Sequence, residues 1–388
     1  MQHRWVPLVV GALLTLTACT GGTDDRAQDR PGRQAEAPRQ DVPSALDDRT
    51  DDAFVKPLIP LDEILSGGPQ PDGIPPIDDP TFESAGEVDW LEDNEPVLSL
   101  TVGGETRAYP LRVMTWHEIV NDVVGGVPVA VTYCPLCNSG VAFERTVGDR
   151  GVFSFGTSGL LYADNLVMYD RQTESLWPQL TGQASVGHLT GTQLEAIPMG
   201  TVSWSEFRRA EPTAKVLTQD TGFDRPYGTN PYSGYDEPNG ELLFGLPDDL
   251  DTRLPVKERV IGLVGGSDSA AVLRSSLVGR DPRQVTVGGQ DVVLWHRPGQ
   301  ASALDADTIA GGADIGTVGV FTPVADGRTL SFSASGDGFT DRETGSTWNV
   351  LGRATAGPLK GTELEAYRHL DTFWFAWATF HLDTLLLD

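Results

Sequence analysis

A block beginning at Tyr169, YDRQTESLWPQLTGQASVGHLTGTQLEA, returns at Thr340 as TDRETGSTWNVLGRATAGPLKGTELEA. Asp170, Arg171, Thr173, Ser175, Trp177 and Leu180 pair with Asp341, Arg342, Thr344, Ser346, Trp348 and Leu351 at one constant offset. After a one-residue deletion Gly187, Leu189, Gly191, Thr192 and Leu194 realign with Gly357, Leu359, Gly361, Thr362 and Leu364, and Trp204 falls on Trp374. Upstream, VVGGVPVAVTYCPLCNSG lies beside VTVGGQDVVLWHRPGQAS, with Gly126 on Gly289, Val129 on Val292 and Pro135 on Pro298. Propeller blades recur every ~40 to 50 residues, far less than this separation, so the loose likeness of the block to a quinoprotein blade is rejected. The repeat instead predicts two pseudo-equivalent units, residues 53–215 and 255–388, joined by a connecting loop at 216–254 that is rich in Gly, Pro and Tyr.

Within each unit the alternation of Val, Phe, Tyr and Thr predicts strands. They are PVLSLTV, VPVAVTY, GVAFERT, VFSFGTS and NLVMYD in the first, and RVIGLV, DVVLWH, GTVGVFT and TLSFSAS in the second. Helical patterns are few: one in FVKPLIPLDEILSGG ending at Gly67, one at LRVMTWHEIVND, and SWSEFRRA, where Ser203 and Glu206 are spaced as a capping box. The fold class is therefore mainly β, a β-rich α+β protein with a few short helices. In the shared D-R-x-T-x-S-x-W string, Asp170 and Asp341 read as closing a hairpin turn through side-chain hydrogen bonds, with the Trp packed behind. Tyr227, Tyr232 and Tyr235 of the connecting loop either anchor that loop or drape over a domain face, the first being the simpler reading.

A basic start at His3 and Arg4 precedes an uncharged run from Val6 to Ala18, too short for the roughly 20 residues that cross a bilayer. Residues 1–18 read as a secretory signal peptide. Leu16-Thr17-Ala18-Cys19 resembles a bacterial lipobox, which makes Cys19 the expected lipidation site and membrane anchor, and the protein an extracytoplasmic lipoprotein. Residues 19–52, crowded with Asp, Arg, Gln and Pro, are expected to be a disordered tether. With 28 basic and 55 acidic residues the net charge is −27, which repels nucleic acid and anionic lipid surfaces. Nucleic acid is excluded as a partner; protein partners are not legible.

Removing Cys19 leaves Cys134 and Cys137, in VTYCPLCNSG, as the cysteines of the folded part. In the second unit Arg297 and Gln300 stand in their places, so the thiols are confined to one copy. A disulfide closing so small a loop constrains little unfolded-state entropy, and stabilisation is a poor reason for the pair. Three readings stay open. A thiol–disulfide redox protein would use the C-x-x-C directly, although the NSGVAFERT that follows reads as a strand and supplies no helix dipole to lower a thiol pKa. A soft-metal site would join Cys134, Cys137 and the upstream His117 around copper or zinc, with Glu118 and Asn138 as supporting residues. His188 would be needed for a four-ligand zinc set, but Pro358 replaces it in the second copy. A binding scaffold with a structural disulfide, or two buried small side chains, is the third. The soft-metal site is the reading favoured by residue type. No G-x-S-x-G, P-loop, G-x-G-x-x-G or H-E-x-x-H string is present, so common nucleophile, nucleotide and zincin chemistries have no motif.

The series IPPIDDP, AYPLRVMTWHEIVND, GVPVAVTYCPLCNSGVAFER, LVMYDRQTESLWPQLTGQA, YGTNPYSGYD and DTFWFAWATFH resembles the bacterial and archaeal family known as domain of unknown function 3179. The likeness runs from about residue 55 to the C-terminus. It implies a shared fold and a shared site, and no particular activity.

Overall fold

The computed structural model describes residues 35–245 and 250–387. The signal run and Cys19 lie outside the described residues. Short strands β1 (Ile64–Ser66) and β2 (Phe82–Ser84) precede a hairpin of β3 (Pro96–Val102) and β4 (Glu105–Pro110), which leads into helix α1 (Leu111–His117). A meander follows, of β5 (Ile119–Val124), β6 (Val127–Cys134) and β7 (Ser139–Glu144), then β8 (Phe155–Tyr162), β9 (Asn165–Asp170) and β10 (Leu176–Pro178). The first half closes with β11 (Ala196–Ile197), β12 (Met199–Ser203), α2 (Trp204–Ala210) and β13 (Lys215–Leu217).

The second half runs through β14 (Arg259–Gly265), β15 (Asp268–Leu273), β16 (Arg283–Val287), β17 (Gln290–Arg297) and β18 (Thr317–Phe321). A small hairpin of β19 (Val324–Ala325) and β20 (Arg328–Thr329) leads to β21 (Phe332–Ser335), β22 (Gly338–Asp341), β23 (Thr347–Trp348) and β24 (Ala354–Ala356). The chain ends in β25 (His369–Phe373), α3 (Trp374–Phe380) and β26 (Leu385–Leu387). The protein is mainly β. Among the described residues no helix is long and apolar enough to cross a membrane.

Strand pairing in the two halves follows one pattern. In the first, β12, β3 and β4 are antiparallel neighbours and β13 joins β4 in parallel. In the second, β25, β14 and β15 are antiparallel and β26 joins β15 in parallel. The meander β5-β6-β7 has its counterpart in β16-β17-β18, and α2 and α3 each follow the strand that opens its sheet. Ser203 caps α2 by accepting from the Glu206 amide at 3.4 Å, one half of the expected capping box; the Glu206 side chain turns instead to Arg297 and Arg209.

The D-R-x-T-x-S-x-W blocks form two turns with the same donors. Asp170 accepts from the Thr173 amide (2.6 Å), the Ser175 amide (3.2 Å) and the Trp177 indole N–H (2.9 Å). Asp341 accepts from the Thr344 amide (2.5 Å), the Ser346 amide (3.0 Å) and the Trp348 indole N–H (2.9 Å). Ser175 and Ser346 in turn accept the amides of Leu189 and Leu359. The repeated glycine belongs to this motif: Gly187 and Gly357 both have positive φ, and a Cβ there would lie 2.9 and 2.6 Å from the Cα of the serine.

Three expectations are corrected. The stretch before Gly67 is not a helix: a single turn at Leu61–Glu63 passes into β1, which pairs with β8 and so draws its hydrogen bonds from a neighbour. The helix expected over 111–122 stops at His117, because Glu118 takes a positive φ and Ile119 begins β5. The described part of the supposed tether packs on the body, where amides of Ala37, Gln40 and Ala45 bond to carbonyls of Val152, Gln172 and Glu174, and Ala45 is fully buried. Local polarity predicted disorder there, and carbonyls of the segment before β8 and of the turn after β9 supplied partners that local composition does not reveal.

Replacing Asp170 with Ala strands the buried Trp177 indole and two amides, so urea unfolding is expected to show a loss of about 3–5 kcal/mol, and Asp170→Asn a smaller one. A loss below about 1 kcal/mol for Asp170→Ala would show that the turn does not hold the hairpin.

Candidate functional site

The cysteines lie in the loop that joins β6 to β7. β6 is the middle strand of its sheet and almost entirely buried, which is why VPVAVTY reads as nearly unbroken apolar sequence. The register pairs Cys134 with Ser139, and the Asn138 amide bonds to the Pro135 carbonyl at 3.2 Å. Asn138 takes the positive φ that closes the turn, and its side chain faces the Tyr133 hydroxyl at 3.3 Å. Both sulfurs are buried, Cys134 at 1% and Cys137 at 0% exposure, in a cluster with Phe143, Phe155 and Trp177. The cluster also draws Tyr235 from the connecting segment and Phe373 and Phe375 from the second half.

The Ser139 hydroxyl donates to Gln179 Oε1 at 3.3 Å, which leaves its oxygen to accept the Cys137 thiol at 2.9 Å. Gln179 returns the contact by donating to Thr132 Oγ1 and the Ser139 carbonyl. From the far half, the Thr372 hydroxyl (2.8 Å) and the Phe373 amide (3.1 Å) both donate to the Cys137 carbonyl. Burial pushes the Cys137 thiol well up, and the neighbouring Cys134 thiol pushes it further.

One buried carboxyl, Asp164, acts on Cys137, and a second, Glu118, acts on Tyr232 beside the pair. Asp164 sits at positive φ in the tight turn between β8 and β9, 1% exposed, and accepts the Tyr235 hydroxyl at 2.7 Å. Burial raises its pKa to about 7, outweighing the Tyr235 hydroxyl, the Phe244 amide and the Lys257 ammonium. Lys257, itself 2% exposed, lies 4.0 Å over the Tyr235 ring and donates to the carbonyls of Tyr235 and Glu241. Glu118 ends α1 at φ 58°, ψ −31°, a conformation costly for a residue with a Cβ, and burial alone raises its carboxyl to about 8. Tyr232 joins these groups: burial, then Glu118, Cys134 and Asp164, push its phenol up.

His117 does not join them. Its Nδ1 faces the Pro75 carbonyl at 2.7 Å, which needs a proton on that nitrogen, so Nε2 accepts the Tyr227 hydroxyl at 2.6 Å. Neither nitrogen keeps a lone pair for a metal, and Cys134, Cys137 and His117 form no triad: among the described residues no group of three or more His, Cys, Asp or Glu could hold a metal ion. His188 is exposed on the loop after β10. Of the expected supporting residues, Asn138 shapes the turn and Glu118 shares the neighbourhood of the pair through Tyr232. Of the tyrosines of the connecting segment, Tyr235 is part of the cluster that holds the cysteines and Tyr232 packs against it, while Tyr227 closes on His117 and Thr221. Asp164 and Lys257 were missed from sequence because an Asp in a hairpin reads as a turn former and a lone Lys as surface. That Lys257 is one of four lysines was the available signal.

Fold and site define a class: a mainly β protein with a buried dithiol on a strand-to-strand turn, flanked by carboxyls of raised pKa. The chain belongs to the family described as proteins of unknown function DUF3179, which matches residues 71–384. No curated protein and no solved structure matches it.

Raised carboxyl pKa values give stability that is fully present below the unfolded values near 4 and is lost as pH rises through about 7 for Asp164 and about 8 for Glu118. Between pH 5 and 8 each group is expected to tilt the stability profile downward by up to about 1.4 kcal/mol per pH unit. Asp164→Asn and Glu118→Gln should each flatten the profile relative to wild type in chemical unfolding at stepped pH. Variant and wild-type curves that run parallel across that window would refute the raised values.

Proposed function

We propose that this protein is an exported, lipid-anchored thiol–disulfide redox protein in which Cys134 and Cys137 alternate between dithiol and disulfide, with Asp164 accepting the thiol proton. The export signal and Cys19 support the location. The shared strand pairing and twin Asp turns support a duplicated unit of which one copy carries the chemistry. The observation that carries the redox reading is the combination of two buried thiols on one turn with a buried carboxyl held near 7.

The thiolate is the nucleophile in exchange, and burial without a helix N-terminus works against forming it. A base matched to neutral pH is then required, and a carboxyl raised to about 7 meets that need where an ordinary one near 4 does not. One cysteine sulfur, its proton passed to Asp164, attacks an incoming disulfide and expels one thiolate; the second cysteine attacks the mixed disulfide and expels the other. The cysteine pair is oxidised, the partner disulfide is reduced to two thiols, and the two cysteine protons end on the leaving sulfurs. Because both sulfurs are covered, exchange has to await displacement of the Tyr232–Tyr235 cover and is slow.

A second reading keeps a soft metal without His117. Cys134 and Cys137 thiols adjoin each other, and two thiolates are a ligand set that selects Cu(I), whereas zinc prefers four ligands.

Equilibration of the mature chain in graded dithiol/disulfide buffers, followed by thiol trapping after denaturation, is expected to give a single two-electron transition. Asp164→Asn should slow exchange about tenfold or more near pH 7 and move its pH optimum upward. Cysteines that stay in one state across the whole series would leave a structural pair on an inert scaffold and end the redox reading. In an anaerobic Cu(I) titration against a competing chelator, one copper held by wild type and lost in Cys134→Ser would instead select the copper reading; equal uptake by both would remove it.

A further inference from the structure

Two cavities occupy equivalent places in the repeat. One, of about 370 Å³, borders β12 and β3; the other, of about 160 Å³, borders β25 and β14. Pro198, Gly200, Glu211 and Leu351 line the first, and their counterparts in the repeat, Arg368, Leu370, His381 and Leu180, line the second. The registers agree, since Gly200 pairs with Ser99 as Leu370 pairs with Gly262. His369 borders both cavities, its Cε1 lying 3.8 Å from where a Cβ on Gly200 would stand.

Charge separates the twins. In the larger cavity Arg353 is met by acids: its Nε donates to Glu363 at 2.7 Å and its Nη2 lies 2.7 Å from Glu211. In the smaller one His381 stands in place of Glu211 and Arg368 in place of Pro198, so an acid is lost and a cation gained. Arg368 is exposed, and among the described residues it has no hydrogen-bond or ion-pair partner; the acid whose charge reaches it, Glu195, does not line the cavity. His381 stacks on Trp377 with ring centroids 3.8 Å apart. Neither of its ring nitrogens is hydrogen-bonded among the described residues, and both stay open to solvent. Burial, then the charge of Arg368, lower its pKa to about 4, so at neutral pH it is uncharged and offers one N–H. Leu180, Val264, Leu370, Trp377 and Phe380 make the rest of the wall mostly apolar.

We propose that the smaller cavity binds a small monocarboxylate carrying a ring-sized apolar group, its carboxylate held by the Arg368 guanidinium and the His381 ring N–H and its apolar group against Leu180, Val264 and Trp377. The planar fork of a guanidinium matches a carboxylate bidentately. An apolar cavity of about 150 Å³ takes up a molecule the size of benzene, which sets the scale of the tail. A phosphate dianion would meet one positive charge and turn its remaining oxygens to the apolar wall, and a neutral ring would leave Arg368 without an acceptor. The net charge of −27 repels an anion at a distance, but charges more than about 10 Å away are screened at physiological salt. Neither cysteine lines the cavity, so the site is separate from the dithiol.

The test is calorimetric titration of the purified protein with benzoate, with benzamide and acetate, which lack the charge and the ring respectively, and with inorganic phosphate. Benzoate is expected to bind one to one, and each of the other three at least about tenfold more weakly. Arg368→Gln should weaken benzoate by a similar factor, and because Arg368 is exposed the change leaves the core intact. His381→Phe keeps a ring on Trp377 and removes the N–H, and should weaken benzoate about threefold or more. Arg353→Gln, in the twin cavity, should leave benzoate binding unchanged. Absence of saturable benzoate binding, phosphate or benzamide bound as tightly as benzoate, undiminished binding by Arg368→Gln, or an equal loss in Arg353→Gln would each overturn the proposal. The measurement reads binding without any thiol chemistry, so its failure is separate from any failure of the redox reading.

Discussion

The carbonyl of Cys137 accepts two hydrogen bonds from Thr372 and Phe373, more than two hundred residues further along the chain. The cysteine turn is thereby one of the places where the two halves of the molecule are tied together. Phe373 and Phe375 share the buried cluster of the sulfurs with Tyr235, and Tyr232 packs against it. Removed from that contact, the turn would be an ordinary solvated hairpin end, without the burial that pushes the Cys137 thiol up. Burial, more than any charge pair, sets the chemistry of the site: it is the leading cause of the shifts at Cys137, Asp164, Glu118 and Tyr232.

The twin turns isolate this effect. Asp170 and Asp341 accept the same donors at nearly the same distances, yet Asp170 is pushed up and Asp341 down. At Asp341 the four stabilising hydrogen bonds prevail; at Asp170 deeper burial outweighs them. One local structure thus supports two electrostatic outcomes, according to what the rest of the chain lays over it. The same holds for the loops that join the last two strands of each meander, which carry Cys134 and Cys137 in one half and Arg297 and Gln300 in the other. Arg297 pairs with Glu206 and Gln300 accepts from Thr317, so the second loop is a polar joint where the first is a buried dithiol.

Much of the fold was legible. Strands with Val, Ile and aromatic alternation fell where expected, since sheets bury one face or both and their composition records it. The Asp turns were legible because their donors all lie within seven residues of the acceptor. What failed was set by distance. The segment before Gly67 carries helix-forming residues but lies along β8, and residues 36–45 are polar but meet carbonyls of Val152, Gln172 and Glu174. Of the candidate site, Cys134, Cys137 and Glu118 were singled out in the sequence by type and spacing. Placing His117 with them was wrong in arrangement: a ring eighteen residues from a thiol in sequence tells nothing of where its nitrogens point, and here the Pro75 carbonyl and Tyr227 hydroxyl take both.

The sequence by itself determined the class of fold, the repeated turn, and that the thiols belong to one half, because each of these rests on periodicity or on contacts within a few residues. Tertiary structure decided which groups face those thiols. Asp164 acts on Cys137 and Tyr235 shares its cluster from separate stretches of chain, and the pKa of a carboxyl follows from how much water and charge surround it after packing, a quantity that no local pattern encodes.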